Sequence, residues 1–133
     1  MPDFISAMLT SPATQLVARI VLTTLFWSAG LMNLFGFRAT IKKVREVGLP
    51  APTFFAVATI VVQLSGAFLV ITNMAQCAWL GAGALAVFTL LTIPYGHAFW
   101  KFPEPRRTEE INIVLEHITV VGGLLMAAML TQG

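Results

Sequence analysis

The chain has 133 residues, of which 57% are hydrophobic and only 11% charged, with a formal net charge of +2. Soluble domains carry about 25% charged residues, so this composition excludes an ordinary water-soluble domain. Cys77 is the only cysteine, which excludes an intrachain disulfide and any cysteine-based zinc or iron–sulfur centre built from this chain alone.

Residues 1–14 have no basic run and carry Asp3. The first apolar segment is therefore expected to stay in place rather than act as a cleaved leader. Four apolar segments follow, at about 16–37, 54–72, 77–94 and 111–130. A hydrocarbon core of about 30 Å needs about 20 helical residues to cross it. The expectation is an all-α integral membrane four-helix bundle, one transmembrane domain over residues 1–133. Arg19 lies early in span one. A central Arg costs about 2.5–3.5 kcal/mol, and each Leu, Ile, Phe or Val returns about 0.3–0.6. The apolar residues of this span offset that cost, and Arg19 is read as an anchor at the outer interface.

Between spans one and two, Ile41, Val44 and Val47 recur three apart among Lys42, Lys43, Arg45 and Glu46. This spacing predicts a short amphipathic interfacial helix. Pro52 suits the first turn of span two. Residues 73–76 are too few for anything but a tight antiparallel connection to span three. The last connection, 101–110, holds Pro103 and Pro105 and is expected to be extended. Thr108 is the expected cap of span four, with Glu109 and Glu110 in its first turn. Seven loop cations lie in the connections 38–45 and 101–107, and none in 73–76 or 131–133. The positive-inside rule puts both basic connections in the cytoplasm and both termini outside. Beside a membrane, these charges read as lipid-facing anchors and not as a nucleic-acid surface.

Depth then orders the polar residues of the spans. Asn33, His97, Glu116 and His117 are expected to converge on the cytoplasmic third, with Gln63 above them and Trp100 at the inner interface. An ionisable residue in a span is expensive, and Glu116 is the only acid in the four segments. These six residues form the candidate ligand site, with no catalytic residue and no metal assigned. The bland alternative is that Asn33, Gln63, Glu116 and His117 merely join helices, and that His97 bonds a loop carbonyl or a headgroup. Small residues such as Gly30, Gly66, Gly81, Gly83, Gly122 and Gly123 read as close helix packing.

The order of these features resembles the DoxX family of four-helix bacterial membrane proteins. The matching residues are Arg19, Phe26-x-x-x-Gly30, Lys42-Lys43, Gly48-Leu49-Pro50, Gln63-x-x-Gly66, His97-Ala98-Phe99-Trp100 and Gly122-Gly123-Leu124. The family often has an acid at the place of Gln63 and Lys-Asn at the place of Glu116-His117. The resemblance implies a membrane subunit of a quinone-linked or thiol and oxidative-stress redox system, with Arg19, Gln63, His97 and Glu116 lining a polar centre. It also implies partners in the bilayer: other membrane subunits, or further copies of the chain. Three functions are in play: a non-catalytic anchor or accessory subunit; a binder of quinone or another lipophilic ligand; and a small transporter. A stand-alone enzyme ranks last.

Overall fold

A computed structural model describes residues 1–132, and all regular secondary structure among them is helical, with no strand. The helices are α1 (Asp3–Thr10), α2 (Pro12–Leu22), α3 (Thr24–Phe35), α4 (Phe37–Glu46), α5 (Pro52–Thr72), α6 (Ala78–Gly96) and α7 (Arg106–Leu130). Short 3-10 turns occupy Met74–Gln76 and Phe99–Lys101. Three apolar helical segments are long enough to cross a membrane: α5, α6 with the turn that follows it, and α7. A fourth crossing arises if α1 and α2, bent by 60° at their junction, count as one.

The first apolar segment is not one helix. It divides at Thr23, and α4 starts as early as Phe37. Thr23 Oγ1 donates to Arg19 O at 2.7 Å and also approaches Ile20 O at 3.3 Å. Such back-bonding by a β-branched hydroxyl competes with the helix ladder and accompanies the break here, where Thr23 has φ −92° and ψ 3°. Gly36 then closes α3, and its N–H donates to Met32 O. In α4, Ile41 and Val44 are half-buried and Thr40 is buried, while Lys42, Lys43 and Arg45 are exposed. This is the amphipathic division that the spacing predicts, although Val47 falls one residue past the helix end.

Pro52 stands at the first position of α5, where its missing N–H has no helical partner to lose. The α5–α6 turn holds three non-glycine residues at positive φ: Asn73, Ala75 and Gln76. Asn73 makes its conformation useful, since its Oδ1 accepts the Ala78 N–H at 3.0 Å and closes the start of α6. The two helices then pack closely. A Cβ on Gly81 would come within 2.6 Å of Gly66 O, and one on Gly66 within 2.7 Å of Leu85 Cγ. Gly83 and Gly122 meet nothing within 4 Å, so they take no part in such packing. Phe26, Val70, Leu85 and Leu124 from four helices meet in the core.

Two boundaries move from their expected places. The third apolar helix runs through Pro94 to Gly96, because a proline in the last turn removes only one backbone bond. The last helix begins at Arg106, and Thr108 is not its cap: its hydroxyl reaches back to the Glu104 carboxylate from inside the helix. Pro105, after a cis peptide bond, takes the capping position.

Candidate functional site

Polar side chains gather at two places, and no hydrogen bond joins the two among the described residues. The first lies between α3 and α5. The Asn33 amide donates from Nδ2 to Gln63 Oε1 at 3.0 Å. Gln63 is buried and Asn33 half-buried. Thr40 on α4 donates to Asn33 O at 3.0 Å, so the same asparagine also fastens α4. Each group finds a partner, as buried polar groups require.

The second place is the junction of α6 and α7. The helix α6 stops at Gly96, which leaves His97 free to turn toward α7. His97 Nδ1 stands 2.8 Å from Glu110 Oε2. Their side chains are 26% and 11% exposed, so the carboxylate is almost fully enclosed. Arg106 Nε lies 3.6 Å from the other oxygen, Glu110 Oε1, one helical turn back. The Arg106 guanidinium also lies over the Phe102 ring, 3.7 Å from its centre, in a cation–π contact. The rings of His97 and His117 meet edge to face with centres 4.9 Å apart. His117 Nδ1 is 2.8 Å from Ile113 O. A carbonyl only accepts, so Nδ1 carries the proton and Nε2 is the nitrogen able to receive one. Glu110, His97 and His117 thus form one contiguous cluster, with the carboxylate bonded to His97 and the two rings in contact without a hydrogen bond between them. Among the described residues no three His, Cys, Asp or Glu side chains are grouped to hold a metal ion.

The six residues singled out from sequence therefore part company. Asn33 and Gln63 pair with each other. His97 and His117 meet. Glu116 joins neither group: it is exposed on the outer face of α7. Trp100 is also exposed and meets Phe99 edge to face at 5.2 Å. The acid that closes the histidine cluster is Glu110, which sequence reasoning had treated only as a favourable first-turn residue. A helical repeat of 3.6 residues puts position 110 on the face of 117 and 124, and turns 116 away. Counting back seven from His117 would have found it.

Two cavities flank the helices. The larger, about 490 Å³, lies between α4, α5 and α6 and is lined by Lys43, Val44, Val62, Phe88, Leu91 and Tyr95 among others. Its lining includes none of the six expected ligand residues. It also shows that the basic helix α4 and the end of α6 share one end of the molecule. The smaller, about 250 Å³, lies between α2 and α7 beside Arg19.

Long apolar helices joined by short turns, with interior polar side chains paired to one another, define a multi-pass integral membrane protein. The sequence profile of the DoxX family matches residues 14–98, more than half of the chain, and the chain belongs to the DoxX family. The match stops one residue past His97, so Glu110 and His117 lie beyond it. The chain is also similar to the inner membrane protein YphA of Escherichia coli (strain K12), with 23% identity over 122 residues, 92% of this chain and 86% of that one. No solved structure matches.

Proposed function

We propose that this protein is a non-catalytic anchor or accessory subunit of a redox, quinone-linked system in a bacterial inner membrane. In this reading α2 and α3 together make the first of four crossings, α4 lies along the cytoplasmic headgroups, and both termini are outside. One observation carries the subunit reading: Glu116 is exposed on α7. It lies seven residues beyond Glu109, about 10 Å farther along the helix axis at 1.5 Å per residue. A carboxylate facing hydrocarbon at that depth is costly, and a partner helix offering a donor or a cation removes the cost. The redox assignment itself rests on the family resemblance.

The test is a photo-cross-linking residue, benzoylphenylalanine, placed at position 116 in native membranes, with position 87 on α6 as control. The expected outcome is an adduct to another membrane polypeptide from position 116, in an assembly whose purified form shows quinone, flavin or haem absorbance. Adducts to lipid alone would remove the subunit reading.

A second reading, a site for quinone or a similar lipophilic ligand, is favoured by the cavity of about 490 Å³. That volume falls within the roughly 300–1,000 Å³ of pockets that enclose small organic ligands. Phe88 and Tyr95 supply aromatic walls, and Lys43 and Thr59 supply donors, the Thr92 hydroxyl being already bonded to Thr89 O. Filling it with Ala58→Trp should weaken binding of a short-chain quinone by about tenfold, a loss of about 1.4 kcal/mol. His97→Ala, away from the cavity lining, separates this pocket from the histidine cluster.

A further inference from the structure

Arg19 Nε is the only buried side-chain nitrogen or oxygen without a hydrogen-bond partner among the described residues. A guanidinium carries five donors in a fixed fork and keeps its charge at any physiological pH. Here no acid answers it. The two ion pairs among the described residues both use Glu110, at the junction of α6 and α7. An arginine that merely snorkels presents its whole head to water. In Arg19 the inner nitrogen is sealed, and the residue lines a cavity.

That cavity, of about 250 Å³, has walls from two helices only. From α2 come Gln15, Ala18, Arg19 and Leu22, and from α7 and the residue after it come Gly123, Met126, Ala127, Leu130 and Thr131. The helices touch at its floor, where a Cβ on Gly123 would meet Leu22 Cδ1 at 2.9 Å. Farther along, the small side chains of Ala18 and Ala127 leave the space open. The lining is otherwise apolar apart from Gln15 and Thr131, and the Thr131 hydroxyl is already committed to Ala127 O at 2.7 Å. Water finds few partners in such a space. A free inorganic ion would satisfy the guanidinium but leave the apolar walls unused. The volume is below the roughly 300 Å³ of pockets that enclose a whole drug-sized ligand. It suits a headgroup and the first part of a chain, the rest lying in the bilayer alongside α2 and α7.

We propose that the α2–α7 cavity is a binding site for an acidic amphiphile, an oxyanion headgroup (phosphate or carboxylate) on a hydrocarbon chain, with Arg19 as its bidentate anchor. The planar fork of arginine matches two oxygens of such a headgroup. The apolar walls receive the carbons next to it. The site lies beside the last turn of α7, away from the histidine cluster and from the larger cavity, so it is independent of both functional readings given above.

The experiment uses the full chain in dodecyl maltoside, titrated with dodecyl phosphate and followed by native mass spectrometry and thermal stability. Dodecanoate is the carboxylate arm, inorganic phosphate the chain-free arm, and dodecylphosphocholine the zwitterionic arm. The expected result is one saturable equivalent of dodecyl phosphate or dodecanoate. Inorganic phosphate should fail to compete at about hundredfold excess, and dodecylphosphocholine should bind about tenfold or more weakly. Arg19→Gln should lower affinity for the acidic probe by about tenfold or more, with Arg19→Lys between the two. Ala18→Leu, at an exposed position on the cavity wall, should weaken binding without removing the charge, and it decides the matter if Arg19→Gln fails to fold. Binding of dodecyl phosphate within about twofold of the unsubstituted chain in Arg19→Gln, or in Ala18→Leu should Arg19→Gln not fold, would overturn the proposal. Equal affinity for inorganic phosphate or for dodecylphosphocholine would overturn it as well.

Discussion

His97 Nδ1 and Glu110 Oε2 stand 2.8 Å apart and fasten the end of α6 to the first turns of α7. The connection between these helices contains two prolines and little regular structure. This polar contact ties the two helix ends across that connection and lies beside the ring contact of His97 with His117.

Removing the carboxylate charge at position 110 should be felt in stability. Glu110→Gln keeps the shape but weakens an enclosed, charge-assisted bond, and the expected loss is about 1–3 kcal/mol. Glu116→Gln, on the exposed face, should change the stability of the purified chain by about 0.5 kcal/mol or less. Thermal or denaturant unfolding in detergent compares them. Equal losses for the two variants would contradict the structure.

The Asn33–Gln63 bond should be worth little despite its depth. Hydrogen bonds between membrane helices average about 0.6 kcal/mol, with a maximum near 1.7. A double-mutant cycle with Asn33→Ala and Gln63→Ala should give a coupling in that range. A coupling near zero would mean that the two amides do not meet.

Close approach of α5 and α6 distinguishes glycines that sequence cannot. Gly81→Ala drives a methyl toward Gly66 O, only 2.6 Å from the ideal Cβ position. The expected cost is about 1–3 kcal/mol, as for overpacking generally. Gly83→Ala meets open space, and its helix propensity favours Ala by about 1 kcal/mol. Opposite signs for the two neighbours are the outcome to look for in unfolding measurements.

Sidedness is testable through the lone cysteine. Cys77 lies beside the α5–α6 turn and is half-buried. If the basic connections face the cytoplasm, a membrane-impermeant maleimide should label Cys77 from the outer side of intact spheroplasts. In Cys77→Ser/Thr108→Cys, labelling should appear only after permeabilisation. The reverse pattern would invert the topology.

Hydropathy made α5, α6 and α7 legible, because a run of apolar side chains needs no tertiary information to be recognised. The break at Thr23 was not, since a threonine that bends a helix looks the same in sequence as one that does not. Glu110 and Glu116 show a subtler limit. Depth along the chain singled out Glu116 as the costly acid. The helical face, which only packing fixes, gave the histidine partner to Glu110 instead. Arg19 was legible as an anchor, but the space beside it depends on how α2 packs against α7, which no local pattern encodes.

The interruption at Thr23 also divides the work of its two flanking segments. Below it, α3 is bound to α5 through Asn33, and Gly30 sits against Leu64. Above it, α2 leans on α7 at Leu22 and Gly123. Thr23 thus parts two sets of contacts, and a substitution that loosens the Leu22–Gly123 contact is expected to leave the Asn33–Gln63 bond in place.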